Sequence, residues 1–136
     1  MSSPLIYVVD DDPSTARMVA VGLKKAGYRA EFFVAPTQAL ERITDGGPRP
    51  GLLVTDYEMP EMTGVELIQH CRAGLPGLKT IVMSGAWTGE SPREPLARPN
   101  ALLHKPFSHR QLLDVVTRVL ADAAPSGSLL PPAPPG

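Results

Sequence analysis

The sequence predicts an α/β fold, a doubly wound sheet of five parallel strands with helices on both faces. Short apolar runs alternate with segments of helical periodicity about five times along the chain. The runs are continuously apolar, which is typical of strands that are buried on both faces. Hydrophobic residues make up 43% and charged residues 20% of the 136 residues, so the chain can bury one ordinary globular core.

The apolar runs define the strands, and the stretches between them define the helices. Strands are predicted at LIYVVD (5–10), YRAEFFV (28–34), LLVTD (52–56), LKTIVMS (78–84) and NALLHK (100–105). Helices are predicted over 13–27, 36–45, 64–73 and 108–123. Asp12 before Pro13 is a good N-cap, and Ser108 with Gln111 forms a capping box for the last helix.

Residues that can do chemistry end four of the five predicted strands. Asp10 and Asp11 end the first, Asp56 the third, Ser84 the fourth and Lys105 the fifth. Right-handed crossovers bring the carboxyl ends of parallel strands to one edge, where such sheets bind their ligands. We therefore expect these five side chains to lie together, held in place by the strands.

This combination of groups favours phosphoryl chemistry. Clustered carboxylates repel each other unless a cation compensates them, and a few protein carboxylates with oxygen-only ligation suit Mg²⁺. A metal, a lysine and a hydroxyl can hold the oxygens of a phosphoryl group in transfer, while one acid acts as nucleophile. Asp56 is the best candidate for the nucleophile because it stands singly at a central strand end. Asp10 and Asp11 come as a pair and look like metal ligands.

Four motifs resemble those of response-regulator receiver domains of two-component signalling, of the chemotaxis-regulator type. They are VVDDD (8–12), VTDYEMPEMTG (54–64), IVMSGA (81–86) and HKPFS (104–108), in the family's order and at compatible spacing. The resemblance covers residues 4–122 approximately. It implies the strand order 2-1-3-4-5, which is the order of chemotaxis receivers.

The resemblance also implies roles for individual residues. Asp56 would be the phosphoacceptor, Asp11 would bind Mg²⁺ directly and Asp10 through water. The backbone carbonyl of Glu58 would be the third protein ligand of the metal.

Two further residues complete the implied site. Ser84 would bond the phosphoryl group and change position on phosphorylation, and Lys105 would pair with a phosphoryl oxygen. The Lys105–Pro106 peptide would be cis, which proline makes tolerable.

The implied function is a phosphoaccepting signalling switch. A histidine kinase or histidine phosphotransfer protein would donate the phosphoryl group, and an unknown protein would be the downstream target. The chain would not be an enzyme beyond self-catalysed phosphotransfer to Asp56 and autodephosphorylation. The net charge of −1 favours neither nucleic acid nor a membrane as partner. We expect a cytoplasmic protein, since Cys71 is the only cysteine and no signal peptide is recognisable. We also expect a monomer or weak dimer.

The sequence departs from the family at two places. Leu102 stands where the family usually has an aromatic residue that rotates inward as the readout. The segment between Ser84 and Lys105, which normally holds a full helix, contains three prolines, Pro92, Pro95 and Pro99. Because interior proline costs a helix ~3 kcal/mol, we expect the fourth helix of the family to be shortened or irregular. Trp87 in this segment is a candidate partner contact, and half-exposed packing is an equally good alternative.

Residues 1–123 are expected to form the receiver domain, and 124–136 a proline-rich disordered tail or the start of a linker. The alternative is a receiver module cut from a larger response regulator or hybrid kinase. Two other function classes fit less well. A flavodoxin-like binder needs a Ser/Thr/Gly-rich phosphate loop after the first strand, where this chain has DDDPS. A phosphohydrolase would want a second aspartate two residues after Asp56 and usually extra structure to cap the substrate. Glu58 stands at that spacing, so the loop alone does not exclude this class, but glutamate is one methylene longer and we expect no room for a cap.

Overall fold

The computed structural model describes residues 4–85 and 97–122. Along the chain the elements are β1 (Leu5–Val9), α1 (Pro13–Lys25), β2 (Arg29–Phe33), α2 (Pro36–Thr44), β3 (Leu52–Asp56), α3 (Gly64–Gly74), β4 (Lys79–Ser84), β5 (Ala101–His104) and α4 (His109–Ala121). All nine were predicted from the sequence, with boundaries that differ by one or two residues at most.

The five strands form one parallel sheet in the order β2-β1-β3-β4-β5, which confirms the predicted fold class. Val9 of β1 pairs with Thr55 of β3, so the next residues, Asp10 and Asp56, lie side by side where the two strands end. Asp56 pairs in turn with Met83 of β4. The register of the central strands therefore brings the predicted acids together.

The sheet is buried on both faces, because alternate residues of β1 pack into two different hydrophobic clusters. Ile6 and Val8 belong to a cluster that contains most of the buried residues of α1 and those of α4. Tyr7 and Val9 belong to the cluster on the other face, against α2 and α3. All four side chains are fully excluded from solvent. This double burial is what fixes the register, since a one-residue slip would exchange the two sets of side chains.

The predicted helix caps are present. The carboxylate of Asp12 accepts a hydrogen bond from the backbone N–H of Ser14 at 3.2 Å, so α1 begins directly after the acidic cluster. Ser108 and Gln111 form the predicted reciprocal capping box of α4. Each cap satisfies backbone groups that would otherwise lack a partner at the start of the helix.

Several predictions from the sequence concern residues outside the described ranges. The expected irregular fourth helix, the tail 124–136, Trp87 and two of the three prolines, Pro92 and Pro95, all lie there. Pro99 is described and lies shortly before β5. Within the described ranges the chain has four helices, and none of them is long and apolar enough to cross a membrane.

Candidate functional site

The three predicted carboxylates meet at the carboxyl edge of the sheet. Asp10, Asp11 and Asp56 each offer a carboxylate oxygen, and these oxygens all lie within 4.8 Å of one another. Asp10 is only 1% exposed and Asp56 only 8%, whereas Asp11 is exposed. Two of the acids are thus largely removed from water, and the third is open to it. A group of this composition can hold a metal ion.

One lysine compensates the two buried acids. The ammonium Nζ of Lys105 lies 3.0 Å from Oδ2 of Asp10 and 3.1 Å from Oδ1 of Asp56. Lys105 follows β5, which is two strands away from β3 and three from β1, so its side chain has to reach across the end of β4. The predicted lysine is therefore in the site, and its position depends on where β5 lies.

Ser84 lies between these groups as the last residue of β4. It is 3% exposed and directly follows Met83, the residue that pairs with Asp56. Its backbone carbonyl accepts a hydrogen bond from the backbone N–H of Lys105 at 2.9 Å. Ser84 is thus fixed by its backbone between the strand that carries Asp56 and the residue that carries the ammonium.

The pKa values of Asp56 and Lys105 are shifted in the site. Burial raises the pKa of Asp56 above its ordinary value, and the nearby charge of Asp10 adds to this, although the hydrogen bond from Lys105 acts in the opposite direction. For Lys105, burial alone would lower the pKa, but the hydrogen bonds to Asp10 and Asp56 outweigh it, so the pKa is raised. The three carboxylates and one ammonium, when ionised, leave two negative charges, which one divalent cation would neutralise.

The loop after β3 is held by a close approach that only glycine permits. The N–H of Tyr57 donates to the carbonyl of Met83 at 2.9 Å, and the N–H of Gly64 donates to the carbonyl of Tyr57 at 2.7 Å. A Cβ added to Gly64 would lie 2.4 Å from the backbone oxygen of Asp56, well inside van der Waals contact. In the sequence Gly64 is recognisable only as the first residue of the predicted helix 64–73, and its role in placing Asp56 was missed.

The remaining predicted features are distributed around the site. The Lys105–Pro106 peptide is cis, as predicted. Glu58 lies in the loop after β3 with an exposed side chain, and the assignment of its backbone carbonyl to a metal stays a prediction. Leu102 is half-buried and packs against the cluster that covers the α2 and α3 side of the sheet.

The sequence profile of the response regulator receiver domain matches residues 6–117. The chain belongs to this family. Receiver domains are phosphoaccepting switches of two-component signalling, and the sheet order found here is that of the chemotaxis receivers. Because the chain belongs to the receiver family, it belongs to neither of the two other classes that the sequence left open, the flavodoxin-like binders and the phosphohydrolases.

Individual relatives support the assignment of this receiver domain. The response regulator receiver protein CpdR of Brucella abortus is 33% identical over 120 residues, which are 87% of this chain and 98% of CpdR. The sensor kinase CckA of the same organism is 32% identical over 88% of this chain, which spans only 13% of CckA. The transcriptional regulator NtrC of Azospirillum brasilense is 30% identical over 95% of this chain and 27% of its own length.

Solved structures agree with the sequence relatives. The chemotaxis response regulator CheY4 of Vibrio cholerae superimposes with a TM-score of 0.76 at 26% identity, over 87% of this chain and 99% of CheY4. A CheY-like receiver domain of Methanospirillum hungatei superimposes with a TM-score of 0.74 at 25% identity, over 86% of this chain and 93% of its own. The fold of this receiver domain is therefore the one that the chemotaxis response regulator CheY4 has.

The close approach at Gly64 makes a first prediction. Gly64→Ala should lower the free energy of unfolding by about 1–3 kcal/mol, because the new methyl group forces Asp56 and the loop after β3 apart. Gly74→Ala is the matched control at the other end of α3, where an added Cβ meets nothing within 4 Å. It should be neutral or stabilising by up to ~1 kcal/mol. Urea unfolding of both variants measures this, and equal effects would contradict it.

The raised pKa of Asp56 makes a second prediction about pH. The folded state holds the Asp56 proton more tightly than the unfolded state, so this group's contribution to stability falls as pH rises from its ordinary value of 3.8 through the folded pKa. Asp56→Asn should therefore raise the melting temperature by a few degrees near neutral pH without metal. The gain should shrink in acid, where wild-type Asp56 is protonated. Melting curves in a chelator across this pH range measure it, and a variant that is less stable at neutral pH would refute the argument.

Proposed function

We propose that this receiver domain accepts a phosphoryl group on Asp56, with Mg²⁺, from a histidine kinase or a histidine phosphotransfer protein. The observation that carries the proposal is the contact of Asp56 with Lys105 beside two more carboxylates at the end of a central strand. This is the arrangement that a negatively charged group in transfer needs, with a nucleophile and a compensating cation on the same side.

Asp56 is better suited to be the nucleophile than Asp10. Both oxygens of Asp10 are occupied, since Oδ2 contacts Lys105 and Oδ1 accepts the backbone N–H of Asp12 at 2.9 Å. Asp10 is also the more deeply buried of the two. Asp56 has an 11% exposed side chain, so an incoming phosphoryl group can reach it. We assign Asp10 to charge balance and metal binding, and the reaction to Asp56.

The proposed step is a displacement at phosphorus. A carboxylate oxygen of Asp56 forms the new P–O bond while the P–N bond of the donor's phosphohistidine breaks, and the imidazole leaves with the electron pair of that bond. Lys105 holds an oxygen of the phosphoryl group, and the hydroxyl of Ser84 donates a hydrogen bond to another. The product is an acyl phosphate, which water hydrolyses in autodephosphorylation.

The residues present fit a magnesium ion. Three carboxylates supply the hard oxygen ligands that Mg²⁺ prefers, and their charges exceed what Lys105 can compensate. Asp10, Asp11 and Asp56 would hold the ion, together with the backbone carbonyl of Glu58. When bound, the ion supplies charge stabilisation for the phosphoryl oxygens.

The surface next to the site favours a protein donor that docks along α1. A groove of about 410 Å³ is lined by residues of α1 and of the β5–α4 turn, namely Thr15, Met18, Lys105, Pro106 and Phe107. Met18 is 59% exposed and Val21, one turn further along α1, is 39% exposed. An apolar strip that leads to the lysine of the site suits a partner that has to bring its histidine to Asp56.

The metal site yields a third prediction. Millimolar Mg²⁺ should raise the melting temperature of the wild type, because the ion binds the folded state. Asp11→Asn should lose most of this rise, while its metal-free form should be at least as stable as the wild type because one repelling charge is gone. Asp12→Asn is the matched control, since Asn caps α1 as well as Asp does. A wild type whose melting does not respond to Mg²⁺ would show that the carboxylates form no cation site.

The acceptor yields a fourth prediction. Incubation with Mg²⁺ and a small-molecule phosphodonor should add one phosphoryl group, seen by intact-mass spectrometry as a gain of roughly 80 Da, the mass of one HPO₃ unit. The added group should be labile to base, as an acyl phosphate is. Asp56→Asn should abolish the addition, because the amide is not a nucleophile. Asp12→Asn should be labelled like the wild type. Undiminished labelling of Asp56→Asn would overturn the assignment.

A further inference from the structure

A buried arginine ties together three parts of the chain on the side of the sheet away from α1. Arg72 of α3 is 3% exposed. Its Nε donates to the carbonyl of Leu78 at 3.0 Å, and its Nη2 donates to Oδ1 of Asn100 at 2.8 Å and to Oγ1 of Thr80 at 3.2 Å. Its Nη1 contacts the carbonyl of Arg98. One guanidinium thus joins α3, the beginning of β4 and the residues that lead into β5.

Asn100 passes this restraint on to the pairing of the two strands. Its Oδ1 also accepts the N–H of Thr80 at 2.7 Å. Its own N–H donates to the carbonyl of Thr80 at 2.9 Å and lies 3.2 Å from Oγ1 of the same residue. The backbone and the side chain of Asn100 are both bonded to Thr80, so the first paired residues of β4 and β5 cannot slide past each other without breaking several bonds.

β5 is the strand that most needs such a restraint. It has four residues, lies at the edge of the sheet and pairs only with β4. The next residue, Lys105, has to place its ammonium 3.0 Å from Asp10 and 3.1 Å from Asp56. Because a strand advances about 3.3 Å per residue, a slip of one residue would move the ammonium out of hydrogen-bonding range of both acids.

We propose that Arg72, acting through Asn100, is a positioning residue for the phosphorylation reaction, because it fixes the register of β5 and with it the place of Lys105. The inference rests on the proposed function of Asp56 and Lys105. Arg72 itself touches none of the reacting groups. Its effect on the reaction is transmitted along β5, from Asn100 at the start of the strand to Lys105 just after its end.

Asn100 is the better residue to vary, because it is exposed and its replacement leaves no cavity in the core. Asn100→Ala removes the side-chain oxygen that accepts hydrogen bonds from Arg72 and from the N–H of Thr80. Asn100→Asp keeps an acceptor oxygen at the same place and should restore the contact. Lys79→Met is the control for general loss of stability. The Nζ of Lys79, also at the start of β4, bonds to the carbonyls of Leu120 and Asp122 at the end of α4 and takes no part in the pairing of β5.

The first measurement is the rate of phosphorylation by a small-molecule donor at saturating Mg²⁺. Asn100→Ala should lower the rate by on the order of tenfold or more, as expected when a catalytic group is displaced by an ångström. Asn100→Asp and Lys79→Met should stay within about twofold of the wild type. In a Lys105→Met background, Asn100→Ala should lower the phosphorylation rate by less than about a further twofold, because the ammonium that it would displace is already absent. Equal losses in both backgrounds, or no loss in a folded Asn100→Ala protein, would overturn the proposal.

The second measurement does not depend on phosphorylation. The ammonium signal of Lys105, identified by its disappearance in Lys105→Met, should be visible by ¹H–¹⁵N NMR because two carboxylates hold the group. Asn100→Ala should broaden or shift it, and Asn100→Asp should preserve it. An unchanged signal in Asn100→Ala would overturn the positioning role whatever the phosphorylation rate. If the Lys105 signal changes in Asn100→Ala as expected but the wild type accepts no phosphoryl group, the proposed function is refuted while the role of Asn100 in placing Lys105 stands.

Discussion

The rest of the structure depends on the burial of two carboxylates side by side. Asp10 and Asp56 are adjacent because β1 and β3 are adjacent and in register, and both strands are fixed by burial on two faces. An ionised carboxylate that leaves water has to be compensated by a nearby cation or hydrogen-bond donors. The cation here comes from Lys105, which follows the edge strand β5. The edge strand β5 therefore has to be held as firmly as the central strands.

This arrangement explains why the same lysine can serve before and after the reaction. In the metal-free protein its ammonium is shared between Asp10 and Asp56, and both contacts raise its pKa. Under the proposed function, phosphorylation adds to one carboxylate oxygen of Asp56 a phosphoryl group, which brings more negative charge within reach of that ammonium. Lys105 then needs no new position, only a new acceptor, so the cost of reorganisation in the transfer step is small.

The sequence predicted the fold and most of the site because both follow from local patterns. Apolar runs identify the strands, and parallel strands bring their ends together, so Asp10, Asp56 and Lys105 could be assigned to one place. The roles of Gly64 and Arg72 could not be predicted from the sequence, because they arise from distances between elements that are remote in sequence. The sequence does contain one indication of where Arg72 lies. It stands four residues after the buried Ile68, which places it on the buried side of α3.

Under the proposed function, Leu102 at the position where the family resemblance implies an aromatic residue would change how a signal leaves the site. A half-buried leucine that packs on one face of the sheet has no ring to move between an inner and an outer position. The backbone bond from Lys105 to the carbonyl of Ser84 is unaffected by this replacement. If Ser84 moves toward a phosphoryl group, this bond transmits the movement to the backbone of Lys105, while its ammonium stays beside Asp56. The movement then reaches the turn before Ser108, where α4 begins. The turn that carries Pro106 and Phe107 also lines the groove beside α1, so a change at Asp56 would reach the surface there.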